Sequence, residues 1–193
     1  MKDNAVKLFK RLIHWCKQDT FRSVFVGIDP GSDGAIGLIC GHAYAVIDIP
    51  KLKVKRGKGK KTVFNLPEII ALFRNLRSFK DRVRCVVEQP PPSMGLRSSA
   101  YAQFRLGCAY AMWPLFLMSQ GFRVEEVSPH VWKKVIGIGS DKETSRHKAL
   151  GMFPKAPLAR KKDHNRAEAL LLAEYHNRRS ANGQQHTDQK RRS

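Results

Sequence analysis

Three carboxylate-bearing segments lie far apart in the chain, each set against an apolar element: Val24-Phe25-Val26-Gly27-Ile28-Asp29-Pro30-Gly31, Val86-Val87-Glu88-Gln89 and Lys161-Lys162-Asp163-His164-Asn165-Arg166-Ala167-Glu168. An acid at the end of a core strand loses solvation and repels other acids, so several of them tolerate convergence mainly where a cation neutralises them. The chemistry this allows is that of a hard metal, because carboxylates alone suffice to hold a hard cation. The same chain carries 36 Lys and Arg against 16 Asp and Glu, a formal net charge of +20. A metal centre inside a surface built for polyanions is therefore expected, with nucleic acid favoured over an anionic membrane because no lipid-anchoring pattern accompanies the charge.

Positioning such a centre takes a core, and 193 residues, 42% of them hydrophobic, suffice for one compact domain with tails. Val24 to Asp29 is apolar on both faces, as a central strand covered on two sides should be. Asp33 to Cys40 follows as a second strand after a glycine turn, and Gly41-His42 leads into a third, Ala43 to Ile49, giving an antiparallel meander. Asn65 as cap and Pro67 in the first turn start a helix with an apolar stripe of Ile69, Ile70, Leu72, Phe73 and Leu76. Val83 to Glu88 is a fourth strand, Leu96 to Met118 a long apolar helix bent near Pro114, and Phe122 to Val127 a fifth strand. Ser128-Pro129 opens a helix, Asp141 to Phe153 forms another, and Ala167 to Tyr175 forms the last. The order of elements predicts an α/β ribonuclease H-like fold: a five-stranded mixed sheet, antiparallel meander plus parallel strands, flanked by helices.

The four cysteines lack the close pairing of zinc sites and read as buried free thiols. No apolar stretch spans a bilayer; the longest, Leu106 to Met118, is too short, and neither a transmembrane segment nor a secretory signal is expected. Residues 1–20 read as a basic amphipathic helix that packs on the domain or on a partner, with a transit peptide as the alternative, and 178–193 as a disordered basic tail. Lys51 to Thr62 holds seven basic residues and no acid, and reads as a mobile, solvated loop or hairpin tip, with gripping of phosphates preferred over a merely solvated excursion.

If the first and fourth strands lie side by side, Asp29 and Glu88 sit on strands about 4.8 Å apart and both carboxylates can share one divalent ion. On the last helix His164 and Glu168 share a face, whereas Asp163 and Glu168 diverge by about 140° on regular 3.6-residue turns. Asp163 can join Glu168 only from the helix entrance, where Asp is also a favoured cap. Lys133, Lys142, Arg146, Lys161 and Lys162 are the nearest candidates for DNA phosphates, each with a solvated face as the alternative. Beyond Gln89, the segment Pro90 to Tyr101 lies close enough to the acids to stack or wedge against bases, with Met94, Arg97, Tyr101 and Phe104 as candidates and core packing the alternative for the two aromatics.

In this order Gly27-Ile28-Asp29-Pro30-Gly31 with Gly34-Ala35, Val87-Glu88-Gln89, Trp132-Lys133, Lys142 to Arg146 and Lys161 to Leu170 resemble the RuvC-type Holliday junction resolvases, nearest to their chloroplast branch. The resemblance runs from Phe21 to Tyr175 and makes 21–177 the nuclease domain. It implies a homodimeric crossover junction endodeoxyribonuclease that binds four-way junction DNA and hydrolyses two symmetric phosphodiesters during recombination. It also implies Mg²⁺ or Mn²⁺, two ions per site about 3.5 to 4 Å apart, and no small-molecule cofactor. Carried over, Asp29, Glu88, Asp163 and Glu168 are the metal-holding catalytic carboxylates. Bacterial members usually carry an acid three residues before the final one; here that residue is Asn165, which leaves the fourth ligand open, with His164 as substitute or general base.

The nucleoid of a bacterium or phage, or a DNA-containing organelle, is the expected compartment. Three rival readings stay open: a nuclease for RNA–DNA hybrids or transposon ends, a non-catalytic DNA-binding protein, and an ATP-binding phosphotransferase suggested by Asp29 to Gly34. The last needs a second such domain and a second glycine-rich loop that this chain lacks.

Overall fold

The computed structural model describes residues 2–57, 59–91 and 99–192. Strands β1 (Val24–Asp29), β2 (Ala35–Cys40), β3 (Ala43–Asp48), β6 (Val83–Glu88) and β7 (Arg123–Val127) form one sheet in the order β3-β2-β1-β6-β7. β1 runs antiparallel to β2 and parallel to β6, and β6 runs parallel to β7. This is the ribonuclease H-like arrangement, with the expected meander continued by parallel strands.

The period-two alternation of a strand sorts β1 into two cores. Val24, Val26 and Ile28 face a layer made by α1 (Lys2–Gln18), α2 (Leu66–Arg77) and α3 (Ala100–Ser119). Phe25 faces the other layer, made by α4 (Pro129–Ile136), α5 (Lys142–Met152) and α6 (His164–Arg192). In β6, Val83, Cys85 and Val87 face the first layer and Val86 the second. Parity therefore turns Asp29 and Glu88, two residues beyond Gly27 and Val86, to the α6 side of the sheet.

The N-terminal helix packs on the domain: Phe9, Leu12, Ile13 and Cys16 of α1 lie in the first core. Arg82 ties its end down by donating to the carbonyls of Cys16 (3.0 Å) and Arg22 (2.7 Å) and to that of Asp19, which satisfies helix-end acceptors. Among the described residues no helix is long and apolar enough to cross a membrane.

Several details differ from the sequence reading. The basic segment forms an antiparallel two-stranded hairpin, β4 (Lys51–Arg56) and β5 (Gly59–Phe64), because Leu52, Val54 and Val63 alternate with lysines at strand period. The last helix continues to Arg192, through the residues read as a tail; no proline interrupts them and Gln, Lys and Arg are good helix formers. α3 begins at Ala100, with Ser99 as its cap accepting from the Ala102 amide at 3.2 Å. Cys16, Cys40 and Cys85 are buried free thiols, but Cys108 is exposed.

Candidate active site

β1 and β6 are aligned with Ile28 opposite Val87, so Asp29 and Glu88 follow side by side at the strand ends. α6 reaches them because two glycines clear its path. Gly27 and Gly37 face each other across β1 and β2, and a Cβ at Gly27 would stand 2.2 Å from the Ala169 carbonyl oxygen and 2.5 Å from the Ala173 nitrogen. At Gly37 a Cβ would meet the same carbonyl oxygen at 2.6 Å. Helix backbone thus lies directly on strand backbone, and Glu168, adjacent to Ala169, is carried to the strand ends.

Asp29 and Glu168 are buried, with 9% and 7% of their surface exposed. Desolvation by burial, then the charges of Asp29 and Glu168, push the Glu88 carboxyl up to about 7, against the pull of the Trp132 hydrogen bond and the Lys133 charge. That electrostatic coupling joins the three acids in one desolvated site. Two neighbouring residues of α4 serve it: the fully buried Trp132 donates Nε1–H to Glu88 Oε1 at 3.0 Å, and Lys133 Nζ donates to Glu168 Oε1 at 2.8 Å. The Ser145 hydroxyl donates to the same Glu168 oxygen at 3.4 Å, and the Gly31 amide donates to Asp29 Oδ1 at 3.1 Å.

The structure brings together Asp29, Glu88 and Glu168 but engages Asp163 elsewhere. Asp163 ends a 3-10 turn, Lys161–Asp163, just before α6. Its carboxylate accepts from the Arg160 amide (2.9 Å) and from Arg160 Nη2 (2.7 Å), and Arg166 stands 3.7 Å away. Burial opposes its ionisation, yet the side-chain and backbone hydrogen bonds from Arg160 and the nearby Arg166 charge outweigh this and hold its pKa low. Arg166 in turn makes a two-pronged pair with Asp48 at the end of β3, at 2.6 and 2.7 Å. The Asp163 carboxylate thus closes back on the amide that starts the 3-10 turn and not on the first turn of α6, and its charge is matched by arginine.

Of the other candidates, His164 is the first residue of α6, half-buried, with Nδ1 3.2 Å from the Lys161 carbonyl. Lys133 turns inward to Glu168 and is only 14% exposed. Arg146 is held by Glu143 (2.9 Å) and donates to the Leu158 carbonyl. Lys161 and Lys162 are exposed, and Lys142 opens α5 directly after its Asp141 cap. Arg97 and Met94 lie outside the described residues. Tyr101 and Phe104 are 60% and 69% exposed, so core packing does not hold for either. Sequence reasoning missed the parts of Trp132 and Ser145: an indole and a hydroxyl on buried helix faces look like packing residues until an acid is found opposite them. Asn165, in place of an acid, donates Nδ2–H to the Asp33 carbonyl at 2.8 Å and so ties α6 to the loop after Asp29.

The donor set of Asp29, Glu88 and Glu168 is all oxygen and suits a hard cation. Among the described residues no three His, Cys, Asp or Glu side chains are already grouped to enclose one; here the Lys133 ammonium supplies the positive charge beside Glu168.

No family model and no curated protein matches the chain. Among solved structures, that of Thermus thermophilus RuvC aligns with 18% identity over 83% of this chain and 96% of that one, TM-score 0.46. T. thermophilus RuvC in complex with a Holliday junction substrate aligns with 16% identity over 80% and 92%, TM-score 0.44. The fold assignment stands on the strand order and register given above.

Proposed function

We propose that the protein is a divalent-metal-dependent DNA endonuclease that cuts four-way junctions, working as a homodimer on nucleoid or organellar DNA. The observation that carries this reading is the desolvated triad of Asp29, Glu88 and Glu168, at the ends of β1 and β6 and on α6, in a chain of net charge +20. Asp29, Glu88 and Glu168 would hold Mg²⁺ or Mn²⁺, which when bound supplies charge neutralisation and an activated water for phosphodiester hydrolysis. The rest is the work of the chain. Trp132 fixes the orientation of Glu88 through Oε1, and Ser145 that of Glu168. Lys133 compensates the charge of Glu168, and its ammonium would be a neighbouring cation for an incoming phosphate. His164, one helical turn before Glu168, accepts the proton of the attacking water. Lys161 and Lys162, exposed at the entrance of α6, grip the flanking phosphates. Asp163 serves as the latch that holds α6 in place rather than as a ligand.

Junction selectivity and the kinship with the chloroplast branch rest on the ordered motifs of the sequence. The dimer has support from α3, where Tyr101, Phe104, Cys108, Ala111, Leu115 and Met118 follow one another at three- and four-residue spacing and all are exposed. Such a seam is the pattern by which one helix packs on another. No charged residue occurs from Leu106 to Gln120, so the seam suits an apolar face and not a polyanion.

The test is cleavage of a labelled four-way junction, a linear duplex and an RNA–DNA hybrid with Mg²⁺, Mn²⁺ or chelator. The junction should be cut in two symmetric strands with metal only, and Asp29→Asn should abolish cutting while junction binding persists. Preferential cutting of the hybrid would move the assignment to that substrate. Binding without cutting by the parent protein in either metal would remove the enzyme reading.

A further inference from the structure

The basic hairpin β4–β5 stands outside the five-stranded sheet, yet it springs from the same end of that sheet as the acids. β2 pairs with β1 and with β3, so Asp29, Ala35 and Asp48 form one row across three strands, and β3 runs parallel to β1. The hairpin starts at Lys51, just beyond that row, about 10 Å to the side of Asp29, two strand spacings away. Its base is closed by the Asn65 amide on the Pro50 carbonyl at 2.8 Å. Lys51 Nζ binds Asp33 Oδ1 at 2.6 Å in the loop that follows Asp29, and this hydrogen bond, with the lysine charge, holds the Asp33 carboxyl below its ordinary value.

The ladder sorts the side chains. Lys53 faces Thr62 and Lys55 faces Lys60 on one side, while Leu52, Val63, Val54 and Lys61 occupy the other. Lys53, Lys55 and Lys60 are exposed, and none pairs with an acid among the described residues. Like charges directly opposite each other weaken a two-stranded ladder, and residues 49–64 contain no acid to relieve them. A counter-charge from outside the chain would.

We propose that this hairpin is a separate grip for nucleic acid, whose lysine face lies along the phosphate backbone of a duplex arm as that arm leaves the acid centre. The proposal rests on the nuclease reading and adds to it where the substrate is held away from the cut. Strands of six residues make an arm about 20 Å long, which matches roughly six base-pair steps of duplex. A bilayer surface fits less well, because the lysine side presents Thr62 and no exposed apolar side chain to enter lipid, and Phe64 packs against the first core.

The experiment measures binding of a fluorescent four-way junction by the full chain in chelator, by anisotropy, from 50 to about 300 mM NaCl. Replacing the three lysines (Lys53→Gln, Lys55→Gln, Lys60→Gln) should reduce the slope of log K against log salt by about 2.7, at 0.9 per phosphate contact, and weaken binding at least roughly tenfold at 0.1 M salt. Lys7→Gln with Lys10→Gln and Lys17→Gln removes the same charge from the exposed side of α1 and should change the slope by less than about one. Lys55→Glu places an acid opposite Lys60, so the ladder is retained, and should still reduce the slope by about 1.8; this separates loss of charge from loss of fold. Parental slopes in the triple variant and in Lys55→Glu overturn the proposal, as does a fall no larger than that of the α1 control. Loss of binding to phosphatidylserine vesicles with an unchanged junction slope also overturns it. Should the parent bind DNA but cut none, a reduced slope supports the grip while the nuclease reading fails; should it cut with an unchanged slope, the nuclease reading stands and the grip fails.

Discussion

Gly27→Ala puts the seating of α6 to a direct test. The new Cβ would lie 2.2 Å from the Ala169 oxygen and 2.5 Å from the Ala173 nitrogen, whereas ordinary contact begins near 3.4 Å. Both obstructing atoms are backbone, so no side chain can rotate away and the helix must retreat by about 1 Å. Overpacking of this kind costs about 1–3 kcal/mol. The same retreat carries Glu168 off the strand ends, and a misplacement of about 1 Å can cost on the order of a hundredfold in rate. Urea unfolding gives the first quantity and single-turnover junction cleavage in Mg²⁺ the second. Gly151→Ala is the matched control, since a Cβ there meets nothing within 4 Å on helix α5, and it should gain up to about 1 kcal/mol in stability. A Gly27→Ala protein as stable and as active as its parent would show that α6 does not depend on the glycine pair, and the account of how Glu168 reaches the site would fail.

Three further expectations follow from the charged groups and the helix seam. Glu88 has its folded pKa raised to about 7, so its protonated form contributes stability that is complete below its ordinary value of 4.5 and is lost as pH rises through 7. Without metal, Glu88→Gln should therefore be more stable than the parent at pH 8 by up to about 3 kcal/mol, with little difference at pH 4; equal differences by urea unfolding at the two pH values refute this. Asp163 has the opposite sign: its depressed pKa contributes stability above the ordinary carboxylate range that is lost as pH falls through the folded value. Asp163→Asn should cost about 2 kcal/mol at pH 7, and the deficit should vanish in acid; a deficit independent of pH would mean that arginine pairing is not what Asp163 supplies. Phe104→Glu with Leu115→Glu should prevent the proposed dimerisation and leave a monomer in sedimentation at micromolar concentration, and a dimer that survives both changes places the interface elsewhere.

The core sheet was legible because its rules are local. Val24 to Ile28 could only be a strand covered on both faces, and the short turns from β1 to β2 and from β2 to β3 leave no topology but a meander. The hairpin was half legible: its lysines overwhelmed the alternation of Leu52, Val54 and Val63 that makes it a ladder. Helix spacing identified the right doubt about Asp163, since a residue five before Glu168 needs a non-helical entrance, and the structure provides one as a 3-10 turn. The arginines that claim it were not legible, because Arg166 reaches across to Asp48, a partner 118 residues away. Trp132 and Lys133 show the same limit. Their neighbourhood in sequence is one residue, but each answers a different acid on a different element.

By itself the sequence determined the five strands of the main sheet, the residue types able to hold a hard cation, and the charge that calls for a polyanion, since each depends on local periodicity or on composition. Tertiary structure alone decided which acids meet. Strand parity turned Asp29 and Glu88 to one side, the paired glycines let α6 lie on bare backbone, and arginine drew Asp163 away. Membership in the site is a matter of distances between elements, which the packing of the whole chain sets.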